Sequence, residues 1–293
     1  MPGRASIVIP AYNEERRIGG LLRTLSDPSI RGMYDIYVVC NGCTDRTREV
    51  AQGYDGIVVM EIEGAGKHLA LNEGDRLSGD TYPRLYCDAD IQISAASITA
   101  LVEALTTDDV RAAGPSVRFD VKNSTWTVKL FYRALESSTT SRWLSGHLVG
   151  RGLYGASRAA RQRFGYFPAL FADDLFFDSQ FNSSEKVTLL DAEVTLWVPA
   201  NLRDLIRGEV RVAQGNQQYG VAKFNEGRTN DPVLKQYDEL EATPETHASE
   251  WRSSLKGLRT RDVFPVLFHL GILATARTIL AAKKLRGHEI HWR

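Results

Sequence analysis

Short runs of β-branched and apolar residues alternate along the chain with stretches whose apolar positions recur every three or four residues. Ser6–Pro10, Asp35–Cys40, Ile57–Glu61, Arg84–Cys87 and Val110–Val117 read as strands. Between the first two, Ile18, Leu21, Leu22 and Leu25 fall at i, i+3, i+4 and i+7, which collects them on one helical face. Ile98, Leu101, Val102 and Leu105 repeat the pattern, with Ser94 ahead of them as an N-cap. Apolar strands separated by helices predict an α/β fold, a mainly parallel sheet with helices on both faces. Ligands of such sheets bind beyond the carboxyl ends of the strands. Chemistry is therefore expected just after Pro10, Cys40, Glu61 and Cys87.

After about Val117 the rhythm loosens and aromatics and glycines become dense, among them Trp126, Trp143, Gly150, Gly152, Tyr154 and Gly155. A long strand, Val187–Val198, then leads into a polar helix from about Leu202 to Phe224. Residues 225–260 are polar and carry Pro232 and Pro244, so they read as a linker or mobile loop. The chain closes on the apolar segment Val263–Ala282, followed by Lys283, Lys284 and Arg286. The expected organisation is a domain over 1–224, with halves 1–117 and 118–224, the linker 225–260, and a C-terminal apolar helix in 261–293. Pro265, His269 and Arg277 count against a membrane span. Packing on the preceding domain or on a second copy in a homodimer is the first expectation for that helix. Peripheral contact with a membrane surface, aided by the basic cluster, is the alternative.

Lys+Arg and Asp+Glu both number 36, a formal net charge of zero, which removes the broad electrostatic argument for a nucleic-acid partner. Three cysteines make no disulfide framework, and the first apolar run is too short for a signal segment. A reduced, cytoplasmic compartment is the expectation, with attachment at the inner face of a membrane as its variant.

Each strand end carries polar residues. Pro10-Ala11-Tyr12-Asn13-Glu14-Glu15 offers Asn13 as a cap for the next helix, with two acids in its first turn. Cys40-Asn41-Gly42-Cys43-Thr44-Asp45 reads as an Asn-Gly turn followed by a Thr or Asp cap. Gly66-Lys67 is not a phosphate-cradling P-loop, because Glu61 stands where the first Gly should be and His68 replaces Ser/Thr. Cys40-x-x-Cys43 with Cys87 has the look of zinc or redox chemistry, but buried strand-end cysteines are the commoner reading. Asp88-Ala89-Asp90 is the sharpest signal. In an extended segment its two carboxylates point the same way, and side by side they repel unless a cation or donors sit between them. Beyond an apolar strand, that arrangement suits Mg²⁺ or Mn²⁺ held against substrate phosphates.

These four segments, in this order, resemble family 2 of the nucleotide-sugar glycosyltransferases, strongly over about Ala5–Ala100 and more loosely to about Tyr219. The matching residues are Ile7 to Glu14, Asn41 to Thr47, Gly66-Lys67 with Ala70-Leu71-Asn72 and Gly74, and Asp88-Ala89-Asp90. The resemblance implies the GT-A fold, a Rossmann-like mainly parallel sheet, here with a C-terminal helical extension. It also implies a nucleotide-diphosphate sugar as donor and a hydroxyl as acceptor. On that likeness Pro10, Tyr12 and Glu14 line the nucleotide pocket, Lys67 lies near the donor, Asp88 near the ribose and Asp90 on the metal. Ala89 and Gly152 fall among the same donor contacts. Many members carry an Asp that reads uracil where this chain has Cys40. Cys is a poor acceptor, so either the base is not uracil or Asn41 substitutes.

Gly150-Arg151-Gly152-Leu153-Tyr154-Gly155 resembles the family's glycine-rich strand below the sugar, where a missing side chain lets substrate approach. Phe171-Ala172-Asp173-Asp174 resembles the acidic pair that supplies the base, with Asp174 aligned on the base and Asp173 in place of the usual Glu. Read from the residues alone, the same pair opens a helix Asp174–Phe181 as a cap. The implied reaction is a single in-line displacement that inverts the anomeric centre. A retaining transferase, or a non-catalytic nucleotide-sugar or glycan binder on the same fold, is the alternative.

Overall fold

The structure, a computed structural model, describes residues 4–107, 109–136, 146–225 and 260–285; Trp143, the expected linker and Arg286 lie outside the described residues. Two compact units divide the chain.

The first unit holds an eight-stranded sheet: β1 (Ala5–Ala11), β2 (Tyr34–Asn41), β3 (Ile57–Ile62), β4 (Arg84–Cys87), β5 (Ile91–Ile93), β6 (Ala112–Asp120), β7 (Leu153–Ala156) and β8 (Lys186–Trp197). All seven residues of β1 are buried, as a strand covered on both faces requires. The order is β3-β2-β1-β4-β7-β6-β8-β5. The pairs β1–β2, β1–β4, β2–β3 and β6–β8 are parallel. The pairs β4–β7, β6–β7 and β5–β8 are antiparallel. This is the mainly parallel α/β sheet that the patterning predicts, with β7 running against its two neighbours. The predicted strands fall where expected to within a few residues. The three-residue β5 was not expected, because a segment that short carries no period; its existence depends on pairing with β8, Ile91 opposite Leu196.

Helices α1 (Ile18–Leu25), α2 (Thr47–Gln52), α3 (Lys67–Ser78), α4 (Ala95–Ala104), α6 (Arg158–Arg161) and α7 (Asp173–Asp178) belong to the same unit. The four predicted apolar residues of α1 are all buried. Ser94 caps α4 as expected, its hydroxyl accepting the Ser97 N–H at 3.0 Å. The expected cap of α1 is corrected. That helix starts at Ile18 with Arg17 as an N-cap whose side chain makes no capping bond, and no acid lies in its first turn. Asn13 instead takes φ 55 and accepts the Thr44 N–H at 2.8 Å. The chain leaves β1 through a tight turn, and tying that turn to the next loop competes with capping the helix.

The second unit contains α5 (Trp126–Leu135), α8 (Leu202–Asn225) and α9 (Thr260–Leu285). Val128 and Phe131 of α5, Leu205 of α8 and Ile272 of α9 bury one cluster, and Val210, Ala276 and Leu280 extend it. The apolar C-terminal segment thus packs on helices of this chain, within residues expected in the 118–224 half. Phe264 and Leu267 remain exposed on α9.

Candidate active site

The carboxyl ends of β1, β2 and β4 stand side by side through the parallel register, Ala11 beside Cys40 and Val8 beside Tyr86. Beyond β4 the chain is pinned at once, Asp88 N–H donating to the Gly152 carbonyl at 2.7 Å. Lys67 opens α3 and aims its ammonium at two acids, 2.7 Å from Asp88 Oδ1 and 3.0 Å from Asp173 Oδ2. Burial disfavours the charge on Lys67, but Asp173 and Asp88 outweigh it and hold its pKa above the ordinary value. Asp173 is buried and also accepts the Tyr154 hydroxyl at 2.8 Å.

Asp174 is held by backbone donors. Its Oδ2 accepts the Gly150 N–H at 2.7 Å and its Oδ1 accepts the Leu175 N–H at 2.8 Å. Burial, reinforced by the charge of Asp173, pushes its carboxyl up to about 6, against the pull of Lys67 and the two amides. A carboxylate so poised is matched to taking a proton near neutral pH. The capping reading of the acidic pair is corrected: α7 has Ala172 as its N-cap with no side-chain capping bond, and both acids lie inside its first turn, where they suit the helix dipole.

Asp90 meets Arg17 Nη1 at 3.2 Å. Burial and then Asp88 raise its pKa, while Arg17 and Lys67 oppose. Glu14 is pushed up to about 7 by burial and then by Asp90 and Asp88. Glu14, Asp88 and Asp90 therefore feel one another's charge; Asp88 directly follows β4, and Ala89-Asp90 form a turn rather than the extended segment expected. No set of three His, Cys, Asp or Glu side chains among the described residues converges closely enough to hold an ion unaided. Hard carboxylate oxygens with a deficit of neutralising charge fit Mg²⁺ or Mn²⁺ when phosphate oxygens complete the shell.

The other expected residues are distributed as follows. Pro10 is buried in β1, and Tyr12 is half-buried just beyond it. Asn41 is fully buried at the end of β2, with neither atom of its amide hydrogen-bonded. The Ala89 methyl is buried in the sheet's core cluster, which leaves its backbone for a ligand. At Gly152, with φ 63, the absent side chain leaves room that Ile91 fills, since a Cβ there would lie 2.6 Å from Ile91 Cγ2. The Asp88 carboxylate lies 3.5 Å from the same point. Glycine here lets Ile91 close on the strand end.

Sequence reasoning missed Arg17, Tyr154 and Asp178. The first two are tied to Asp90 and Asp173 by contacts far apart along the chain, which leave no local trace. Asp178 had a readable signal, one helical turn after Asp174. Its Oδ1 accepts the Leu148 N–H at 2.7 Å, and its Oδ2 meets His147 Nδ1 at 2.8 Å and Lys186 Nζ at 2.7 Å. The two acids of α7 thus grip alternate amides, Gly150 and Leu148, of one loop.

Known proteins resemble this chain in sequence and in fold. An undecaprenyl-phosphate 4-deoxy-4-formamido-L-arabinose transferase from Pseudomonas fluorescens is 30% identical over 179 residues, 56% of this chain and 52% of the relative. A dolichol-phosphate mannosyltransferase from Pyrococcus furiosus is 31% identical over 140 residues, 46% of this chain and 38% of the relative. The chain spans about half the length, or less, of these curated relatives. Among solved structures, the mannosyltransferase PcManGT from Pyrobaculum calidifontis, in complex with GDP-Man and Mn²⁺, aligns with a TM-score of 0.64 at 19% identity, covering 99% of this chain and 89% of that one. Mannosyl-3-phosphoglycerate synthase from Rubrobacter xylanophilus aligns at 0.54 and 19% identity, covering 77% and 76%. These likenesses establish the GT-A-type fold. The model for glycosyl transferase family 2 matches residues 6–163, more than half of the chain and every strand end from Pro10 to Asp90, so this chain belongs to that family.

Proposed function

We propose that the chain is a metal-dependent glycosyltransferase that moves a sugar from a nucleotide-diphosphate donor to an acceptor hydroxyl by a single inverting displacement. The observation that carries this reading is the Lys67 bridge, which joins the strand-end acids to the pair containing Asp174. Tyr12, Glu14 and the backbone around Ala89 would bind the nucleotide, and Asp88 would orient the ribose. Asp90 would hold Mg²⁺ or Mn²⁺, which when bound supplies positive charge against the departing diphosphate. Lys67, kept cationic by its two acids, adds fixed charge at the same edge. Asp174, oriented by the Gly150 amide, takes the proton of the attacking hydroxyl as the new bond forms. With base and leaving group on opposite sides of the anomeric carbon, inversion follows.

The test is donor turnover. GDP-mannose and UDP-glucose, each with Mn²⁺, are incubated with the full chain, and sugar release to water is followed by NMR. A released sugar whose first-formed anomer is inverted supports the reading. No turnover of any nucleotide sugar, with nucleotides still bound, supports the non-catalytic alternative.

A polyprenyl phosphate acceptor is the second reading. It is favoured by the names of the two relatives and by the span Val263–Leu285, long and apolar enough by length and composition to cross a membrane. On this reading α9 makes the peripheral membrane contact, at the cytoplasmic face. A phosphate oxygen is already ionised near neutral pH, so it would not need Asp174, and the carboxyl raised to about 6 favours the hydroxyl.

A further inference from the structure

β2 runs through Cys40 to Asn41, and Cys43 follows across a turn in which Gly42 has φ 67. Cys40 is fully buried, whereas Cys43 is half-buried and reachable from solvent. Cys43 Sγ donates to the Ala11 carbonyl at 3.3 Å, and Ala11 is the register partner of Cys40 on β1. The turn therefore folds Cys43 back beside Cys40 over the β1–β2 pair. The polar surroundings, Cys40 first and then the Asn13 backbone and Thr47, bring the Cys43 thiol down to about 6 against the effect of burial, while Cys40 is pushed upward. Loss of the Cys43 proton, which gives up the bond to the Ala11 carbonyl, leaves a thiolate near a protonated thiol, the arrangement in which one sulfur attacks and the other resolves.

The same turn is laced to the segment that leaves β1. Thr44 N–H donates to Asn13 Oδ1 at 2.8 Å, Glu14 N–H to Thr47 Oγ1 at 2.7 Å and Glu15 N–H to Asp45 Oδ2 at 3.1 Å. Moving Cys43 Sγ off the Ala11 carbonyl strains this lacing, and Tyr12 and Glu14 lie within it.

We propose that Cys40 and Cys43 form a reversible disulfide on reaction with a hydroperoxide, Cys43 attacking and Cys40 resolving, and that closing the bond weakens nucleotide-diphosphate binding. The second half rests on the donor site proposed above. In the first step the Cys43 thiolate attacks the O–O bond, giving a sulfenic acid and an alcohol, or water from hydrogen peroxide. In the second, Cys40 attacks that sulfur and its proton leaves with the hydroxide as water. Two thiols and one peroxide thus give one disulfide, one alcohol and one water, a two-electron oxidation of the protein.

The test uses the folded full chain, treated with hydrogen peroxide at neutral pH, alkylated, digested with trypsin and mapped by mass spectrometry. Both thiols fall in one tryptic peptide, residues 32–46. The expected result is that peptide about 2 Da lighter and unalkylated, reversed by dithiothreitol. In Cys40→Ser the Cys43 sulfenic acid should be trapped by dimedone. A peptide that stays fully alkylated, or Cys43 oxidised beyond sulfenic acid with no link to Cys40, overturns the pair. Calorimetry with GDP and UDP, each with Mn²⁺, tests the consequence: oxidation should weaken binding roughly fivefold or more, about 1 kcal/mol. Peroxide should leave the affinity of Cys43→Ser where it was. A linked protein that binds as tightly as the reduced one overturns the coupling to the donor site. If the reduced chain binds no nucleotide at all, the donor-site reading fails, and the peptide map still decides the disulfide.

Discussion

Lys67 Nζ lies 3.0 Å from the Asp173 carboxylate, a group only 4% exposed. The same ammonium reaches Asp88 at 2.7 Å, so residues from α3, the end of β4 and α7 are locked by one charge. Breaking a buried pair by removing one partner leaves the other charge uncompensated, at a cost of about 3–5 kcal/mol. Asp88 is more exposed, so the lower end applies. Lys67→Met should therefore lower stability by about 3 kcal/mol and transfer by about 10²-fold or more. Chemical denaturation and initial rates check both. A variant as stable as the parent would mean that Tyr154 and water satisfy Asp173 without the lysine.

Asp174 sets the expected pH dependence. Its carboxyl is raised to about 6 from an ordinary 3.8, chiefly by burial, and it acts as a base only when ionised. Activity, read as kcat/KM, should fall as pH drops through about 6, and Asp174→Asn should lower turnover by about 10²–10⁴-fold. The sign for stability is opposite. A carboxyl raised in the folded state binds more protons there than when unfolded, so stability declines as pH rises from the unfolded value through about 6. Asp174→Asn should consequently gain stability at neutral pH, at most about 3 kcal/mol, and little at pH near 4. Turnover near that of the parent would remove Asp174 from the base role and favour a phosphate acceptor.

The parts of this architecture that were legible in the sequence are those fixed by local period and position. Buried runs such as Ile7-Val8-Ile9 and the face of Ile18, Leu21, Leu22 and Leu25 announce their elements, because burial on one or both faces dictates which positions are apolar. The strand-end rule led to Asp88 and Asp90 before any contact was known. What stayed hidden depends on tertiary pairing. Asn13 had the chemistry of a cap, but Thr44, from another loop, took its side chain. Gly152 had the look of a site glycine, and the reason for it is Ile91, on a strand too short to foresee. Arg17 and Tyr154 find their acids only after the sheet has formed.

Asp90→Ala tests the metal. Its carboxylate meets Arg17 at 3.2 Å, and the pair is exposed enough that it contributes roughly 1 kcal/mol or less. Its replacement should leave the fold intact and abolish the Mn²⁺-dependent part of nucleotide-diphosphate affinity. Calorimetry with GDP, with and without Mn²⁺, reads this directly. Equal affinity of the variant and the parent in Mn²⁺ would remove Asp90 as a ligand.

Two glycines of one loop separate backbone strain from crowding. Gly150 and Gly152 both have positive φ, 68 and 63, so alanine at either costs about 1–2 kcal/mol of strain. Around Gly150 a Cβ would meet nothing within 4 Å, whereas at Gly152 it would press on Ile91 at 2.6 Å and Leu196 at 3.2 Å. Overpacking of this kind adds about 1–3 kcal/mol. Gly152→Ala should therefore be the more destabilising of the two by that margin. It should also weaken nucleotide binding, because Ile91 follows Asp90 directly and the Gly152 carbonyl anchors the Asp88 amide. Gly150→Ala should leave nucleotide affinity unchanged while lowering turnover, since the Gly150 amide holds Asp174. Denaturation midpoints and calorimetry on the pair check the order. Equal losses at both positions would mean that β5 yields freely and that the strand end is not set by this contact.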